Sequence, residues 1–150
     1  MVAALTLPAG STCAPGKTRE LTPTVGIEIE GLDLRTADAA LALKIEQLFN
    51  QYSAILFRGQ RLTPEDLVCF SQHFGNLDEA PVNEKGKTAV DGFPEVYVVS
   101  NIKGQDGKPV GSLGPGEAAW HTDMSYLENP PRASLLYAVE VPDEGGNTWL

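Results

Sequence analysis

Histidine is scarce in this 150-residue chain, which holds only His73 and His121. So few imidazoles leave no basis for a Ser/His/Asp or Cys/His catalytic set. Cysteine is equally rare. Cys13 and Cys69 share no CxxC or Cys/His spacing, so they read as two free thiols in a reducing compartment, with a disulfide between them as the alternative. Basic residues are outnumbered, 11 against 20 acids, and the net charge is −9. An acidic chain repels phosphate backbones and anionic membrane surfaces, so nucleic acid and membrane are poor partners for it. No apolar run approaches the roughly 20 residues that a membrane span needs. Met1-Val2-Ala3-Ala4-Leu5-Thr6-Leu7-Pro8 lacks the basic start of a secretory signal, which makes the cytoplasm the expected location. Glycines 104, 107, 111, 114 and 116 follow neither the GxGxxG nor the Walker spacing, which argues against a phosphate cradle.

What is present suits a globular protein. Hydrophobic residues make up 42% and charged residues 21%, a balance that argues against wholesale disorder. Residues 1–25 are small and polar, with Pro8, Pro15 and Pro23, and read as a mobile or edge segment before a domain covering 26–150. From Gly26 the chain alternates, Ile27 and Ile29 against Glu28 and Glu30, as a half-buried strand does. Thr36 or Asp38 can cap a helix running to about Tyr52, with Leu41, Ile45, Leu48, Phe49 and Tyr52 on one face. Ala54-Ile55-Leu56-Phe57 reads as a buried strand. Thr63-Pro64-Glu65-Asp66 is a strong helix start, and Gly75 ends that helix. Residues 76–94 are loop-like, 96–99 and 134–139 read as strands, and 104–116 as a long loop. Helices come early and strands late. The expectation is a mixed α+β, mainly β fold, built on an antiparallel rather than a doubly wound sheet.

One pair of residues can carry chemistry. In Trp120-His121-Thr122-Asp123 an extended backbone sends residues i and i+2 to the same side, so an imidazole and a carboxylate converge. Such a pair suits Fe(II), Mn(II) or Zn(II) as two ligands of a two-His-one-carboxylate face. On spacing alone the pair more often reads as a histidine hydrogen-bonded to a nearby carboxylate on a loop. Other side chains carry two readings each. Arg58 is an anion anchor or half of a structural ion pair. Trp120 walls a site or packs in a core. Tyr126 lines a cavity or is a core aromatic. Asn101 borders a pocket or simply turns the chain.

Four stretches together resemble the taurine dioxygenase and 2,4-dichlorophenoxyacetate dioxygenase (TauD/TfdA) family. They are Ala54 to Gln60 with Leu62-Thr63-Pro64-Glu65, then Phe70 to Leu77, then Trp120 to Tyr126 with Pro130-Pro131, and finally Gly145-Gly146-Asn147-Thr148. The resemblance implies a double-stranded β-helix (jelly roll) with flanking helices, incomplete in this chain. It implies Fe(II), 2-oxoglutarate and O₂, with 2-oxoglutarate converted to succinate and CO₂ while a C–H bond of a small organic acid or amino-acid-like substrate is hydroxylated. His121 and Asp123 would be the first two metal ligands and Thr148 a 2-oxoglutarate contact, with Asn101 grouped beside it at the cosubstrate. A third ligand, a histidine, and a carboxylate-clamping arginine would lie beyond Leu150. His73, on a helix, is expected to have a surface or packing role.

Substrate contacts would come from Glu117, Trp120, Tyr126 and Asn83. Ala80 and Asn83 stand where taurine-specific members carry histidine and tyrosine, which disfavours taurine. Glu117 is either a contact for a cationic or hydroxylated group or a solvated loop acid. A homo-oligomer is compatible with all of this. The alternatives are a truncated or degenerate jelly-roll binding module without catalysis, and a different metal-dependent β-barrel enzyme such as a hydrolase or isomerase.

Overall fold

A computed structural model describes residues 17–80, 90–111 and 119–146. The chain divides into two units, residues 1–118 and 119–150.

The first unit is organised by a three-stranded sheet in the order β1-β2-β3, with β1 at Lys17–Glu20, β2 at Ile27–Glu30 and β3 at Ile55–Phe57. β1 pairs antiparallel with β2, Lys17 opposite Glu30 and Glu20 opposite Ile27. β2 pairs parallel with β3, Ile27 opposite Ile55 and Ile29 opposite Phe57. A parallel pair needs a crossover, and helix α1, Ala39–Tyr52, supplies it. The expected antiparallel sheet is therefore a mixed one. In the described residues, moreover, α1 and α2 (Pro64–Ser71) hold more of the chain than the three strands do.

Local chemistry places both helices. Asp38 is the N-cap of α1, and its carboxylate accepts from the Leu41 N–H at 2.8 Å. Thr36, the other candidate cap, lies in a short 3-10 turn at Leu34–Thr36 and donates to the Asp33 carbonyl. The α1 stripe turns Leu41 and Ile45 fully inward, while Leu48 packs half-buried against them. α2 begins with a capping box. Thr63 Oγ1 accepts from the Asp66 N–H at 3.1 Å, and Asp66 Oδ2 accepts from the Thr63 N–H at 2.8 Å. α2 ends at Ser71, and the chain tightens into a 3-10 turn, Gln72–Phe74, before Gly75.

Ile29, Leu32, Leu34, Leu41, Ile45 and Phe70 form the buried core. Phe70 meets Phe57 and Phe74 edge-on, with ring centroids 6.0 and 5.3 Å apart. Gln60 closes the end of β3. Its Nε2 donates to the carbonyls of Leu32 and Arg58, and its Oε1 accepts from the Leu34 N–H.

Two expected strands are not strands. Residues 96–99 and 134–139 make no ladder with any described residue. Among the described residues, the extended pairing beyond β3 is a single antiparallel bridge, Lys103 to Pro109, in a hairpin braced by Val110 N–H to the Ile102 carbonyl. β-branched and aromatic content makes a segment fit a sheet, but a strand exists only with a partner. Gly111 lets the hairpin close, because a Cβ there would come 2.6 Å from the Val98 carbonyl oxygen. No helix among the described residues is long and apolar enough to cross a membrane.

Candidate active site

The second unit carries the HxD pair, and the two side chains converge as the i, i+2 spacing predicts. His121 Nε2 lies 2.9 Å from Asp123 Oδ1. The other ring nitrogen, Nδ1, donates to the Ala119 carbonyl at 2.7 Å. That bond fixes the ring orientation from behind and leaves Nε2 as the nitrogen facing the carboxylate. Both side chains are about two-thirds exposed, so water reaches the pair freely. The Ala119 carbonyl first, and then the Asp123 carboxylate, hold the His121 imidazole above its ordinary pKa.

The backbone after the pair turns sharply. Met124 sits in the left-handed region, φ 52°, and Leu127 N–H donates to the Met124 carbonyl at 3.0 Å. A non-glycine residue there costs on the order of 1 kcal/mol and turns the chain directly after Asp123. Gly145 and Gly146 are both left-handed, φ 77° and 65°, as the sequence demands of a Gly-Gly turn. A Cβ at Gly146 would also press on Pro142.

The remaining candidates separate. Trp120 and Tyr126 flank the pair in sequence and are each 81% exposed, so neither is a core aromatic of this unit. Asn101 lies exposed in the first unit, beside the turn in which Ser100 Oγ accepts from the Ile102 N–H. Asn83, Glu117 and Thr148 lie outside the described residues. Ala80 is half-buried, and its N–H donates to the Pro94 carbonyl at 2.8 Å. His73 is exposed and braces the Ala37 carbonyl through Nε2 at 3.2 Å, a surface and packing role. Arg58 forms an ion pair with Glu28, Nε to Oε1 at 2.9 Å.

Two contributors to the site had no side-chain signal in the sequence: the Ala119 carbonyl and the Met124 backbone conformation. Among the described residues no group of three or more His, Cys, Asp or Glu gathers as a metal centre.

Comparison with known proteins supplies the family. The chain matches the family model for the taurine catabolism dioxygenase TauD, TfdA family over residues 17–150, and it belongs to that family. It is 31% identical over 137 residues to the alpha-ketoglutarate-dependent 2,4-dichlorophenoxyacetate dioxygenase of Cupriavidus pinatubonensis, a match covering 85% of this chain and 47% of that protein. It is 29% identical over 128 residues to pentalenolactone F synthase of Streptomyces avermitilis, covering 84% of this chain and 41% of that one. It is 27% identical over 136 residues to the alpha-ketoglutarate-dependent sulfonate dioxygenase of Saccharomyces cerevisiae, covering 88% and 32%. The chain thus spans less than half the length of these relatives.

Proposed function

We propose that the chain supplies the first half of the active site of a non-haem Fe(II)- and 2-oxoglutarate-dependent dioxygenase. The enzyme hydroxylates a small organic acid or amino-acid-like substrate and releases succinate and CO₂. Residues 26–150 are then the N-terminal part of one jelly-roll domain whose remaining strands come from further sequence.

The observation that carries this reading is the 2.9 Å separation of His121 Nε2 and Asp123 Oδ1. An imidazole nitrogen and a carboxylate oxygen that converge from positions i and i+2 would serve as two ligands of one metal ion. A borderline nitrogen donor beside a hard carboxylate oxygen also suits a ferrous ion. When bound, the iron supplies the oxidising chemistry that couples O₂ and 2-oxoglutarate to C–H hydroxylation. His121 and Asp123 would hold the ion, with the imidazole turned by its Nδ1 bond to the Ala119 carbonyl so that Nε2 is the nitrogen on the Asp123 side. Thr148 donates its hydroxyl to a 2-oxoglutarate carboxylate, with Asn101 as a second cosubstrate contact. Trp120, Tyr126, Glu117 and Asn83 contact the substrate. Ala80 and Asn83 remove the groups that hold a sulfonate, which turns specificity away from taurine.

The test uses the protein expressed from its full reading frame, with succinate release as the readout. His121→Ala should abolish turnover, while Thr148→Ala should retain it but require more 2-oxoglutarate. Turnover that survives His121→Ala would remove the ligand assignment. Unchanged 2-oxoglutarate dependence would remove the role of Thr148.

A further inference from the structure

Glu28 is the one ionisable side chain buried among the described residues, at 3% exposure, and it sits on the middle strand of the sheet. It belongs to the face opposite the core, because its neighbours Ile27 and Ile29 alternate with it along β2 and Ile29 packs in the core. Two arginines account for its burial. Arg19 is its register partner on β1 and binds Oε2. Arg58 follows β3, two residues past Leu56, the β3 partner of Glu28, and binds Oε1 through Nε at 2.9 Å. Both carboxylate oxygens are thereby used.

The two guanidiniums are not used up. Each has five N–H donors. The Arg19 and Arg58 side chains remain 64% and 62% exposed and bind no other described residue. Elsewhere on this face Lys17 stands opposite Glu30, and their charges cancel. Two guanidiniums against one carboxylate leave a net charge of +1 in a chain of net charge −9. The shared carboxylate also holds both forks in place, which lowers the entropy lost when they bind a further ligand.

We propose that Arg19 and Arg58, held by Glu28, form a binding site for a small oxyanion, a carboxylate, phosphate or sulfate group. This site lies in the first unit and does not depend on the dioxygenase reading. A second anion neutralises the excess charge and accepts from the free guanidinium edges in the paired geometry that arginine favours.

The test is an NMR titration of the arginine Nε–Hε resonances, in the protein expressed from its full reading frame, with sodium sulfate, sodium phosphate and sodium acetate. Sodium chloride at matched ionic strength is the control. The expected result is a saturable shift at Arg19 and Arg58, with a midpoint on the order of millimolar, that chloride does not reproduce. Preference for sulfate and phosphate identifies a tetrahedral ligand, and preference for acetate a carboxylate. Arg19→Gln should weaken binding at least about fivefold. Arg19→Lys, which keeps the charge but loses the fork, should weaken it by a smaller factor, about threefold. Shifts that follow ionic strength alike for every salt overturn the proposal, as does a saturable shift that Arg19→Gln leaves unchanged. If Arg19→Gln fails to fold, as judged by lost amide dispersion, the comparison of salts on the unmodified protein and Arg19→Lys decides the matter.

Discussion

Ile29 and Leu41 in the first unit are almost wholly removed from water, whereas Trp120, Tyr126, Leu136 and Val139 in the second are each more than four-fifths exposed. The sheet and two helices at residues 17–74 form a buried core and satisfy their own helix ends. Residues 119–146 hold the candidate chemistry yet contain no helix or strand. Hydrophobic sequence alone therefore does not make a core. The first unit has helices that close over a sheet, while the strand-like text of 134–139 has no ladder partner among the described residues.

The sharpest way to break this contrast is truncation of one leucine in each unit. Leu41→Ala should cost about 2–5 kcal/mol of stability in denaturant melts, the range for a fully buried leucine. Leu136→Ala, at an exposed position, should change stability by less than about 0.5 kcal/mol. Comparable losses at both positions would show that 134–139 is packed after all.

The charged face of the first sheet gives a pH test. Arg58, then Arg19, holds the Glu28 carboxyl below its ordinary value of 4.5. A carboxyl depressed in the folded state stabilises above the unfolded value, and that stability is lost as pH falls through the folded one. Thermal melts of the unmodified chain should therefore decline more steeply below about pH 4.5 than those of Glu28→Gln. Parallel curves would mean that the ion triad contributes nothing.

The smallest effect concerns the α2 cap. Thr63→Ala removes half of a capping box and should cost about 1 kcal/mol, read as earlier amide exchange in the first turn of α2. Unchanged exchange there would show that packing of Phe70, not the cap, sets that helix end.

The parts legible in the sequence were those written in local chemistry. Asp38 and Thr63 mark helix starts because a cap acts within three residues. Ile27 and Ile29 mark β2 by simple alternation. β1 was less visible, since Lys17-Thr18-Arg19-Glu20 takes its extended form from pairing with β2. The parallel setting of β2 and β3 depends on how α1 crosses over, which no local pattern encodes. Val96–Val99 misled for the opposite reason, having strand-like residues and no described partner.

At the site, the convergence of His121 and Asp123 followed from their spacing alone. The Ala119 carbonyl did not, because every residue has one. In the stretch Arg58-Gly59-Gln60, Arg58 shares the Glu28 carboxylate with Arg19, and Gln60 ties the end of β3 to the turn after β2.

Metal binding by the second unit tests the central claim most directly. Mn(II), a paramagnetic stand-in for Fe(II), should broaden the backbone amides of residues 119–123 before any others in the ¹⁵N-labelled chain. That broadening should vanish in His121→Ala and in Asp123→Asn, while the resonances of 27–52 keep their positions. Broadening that begins elsewhere, or that persists at 119–123 in both variants, would contradict the assignment of His121 and Asp123 as partners on one ion.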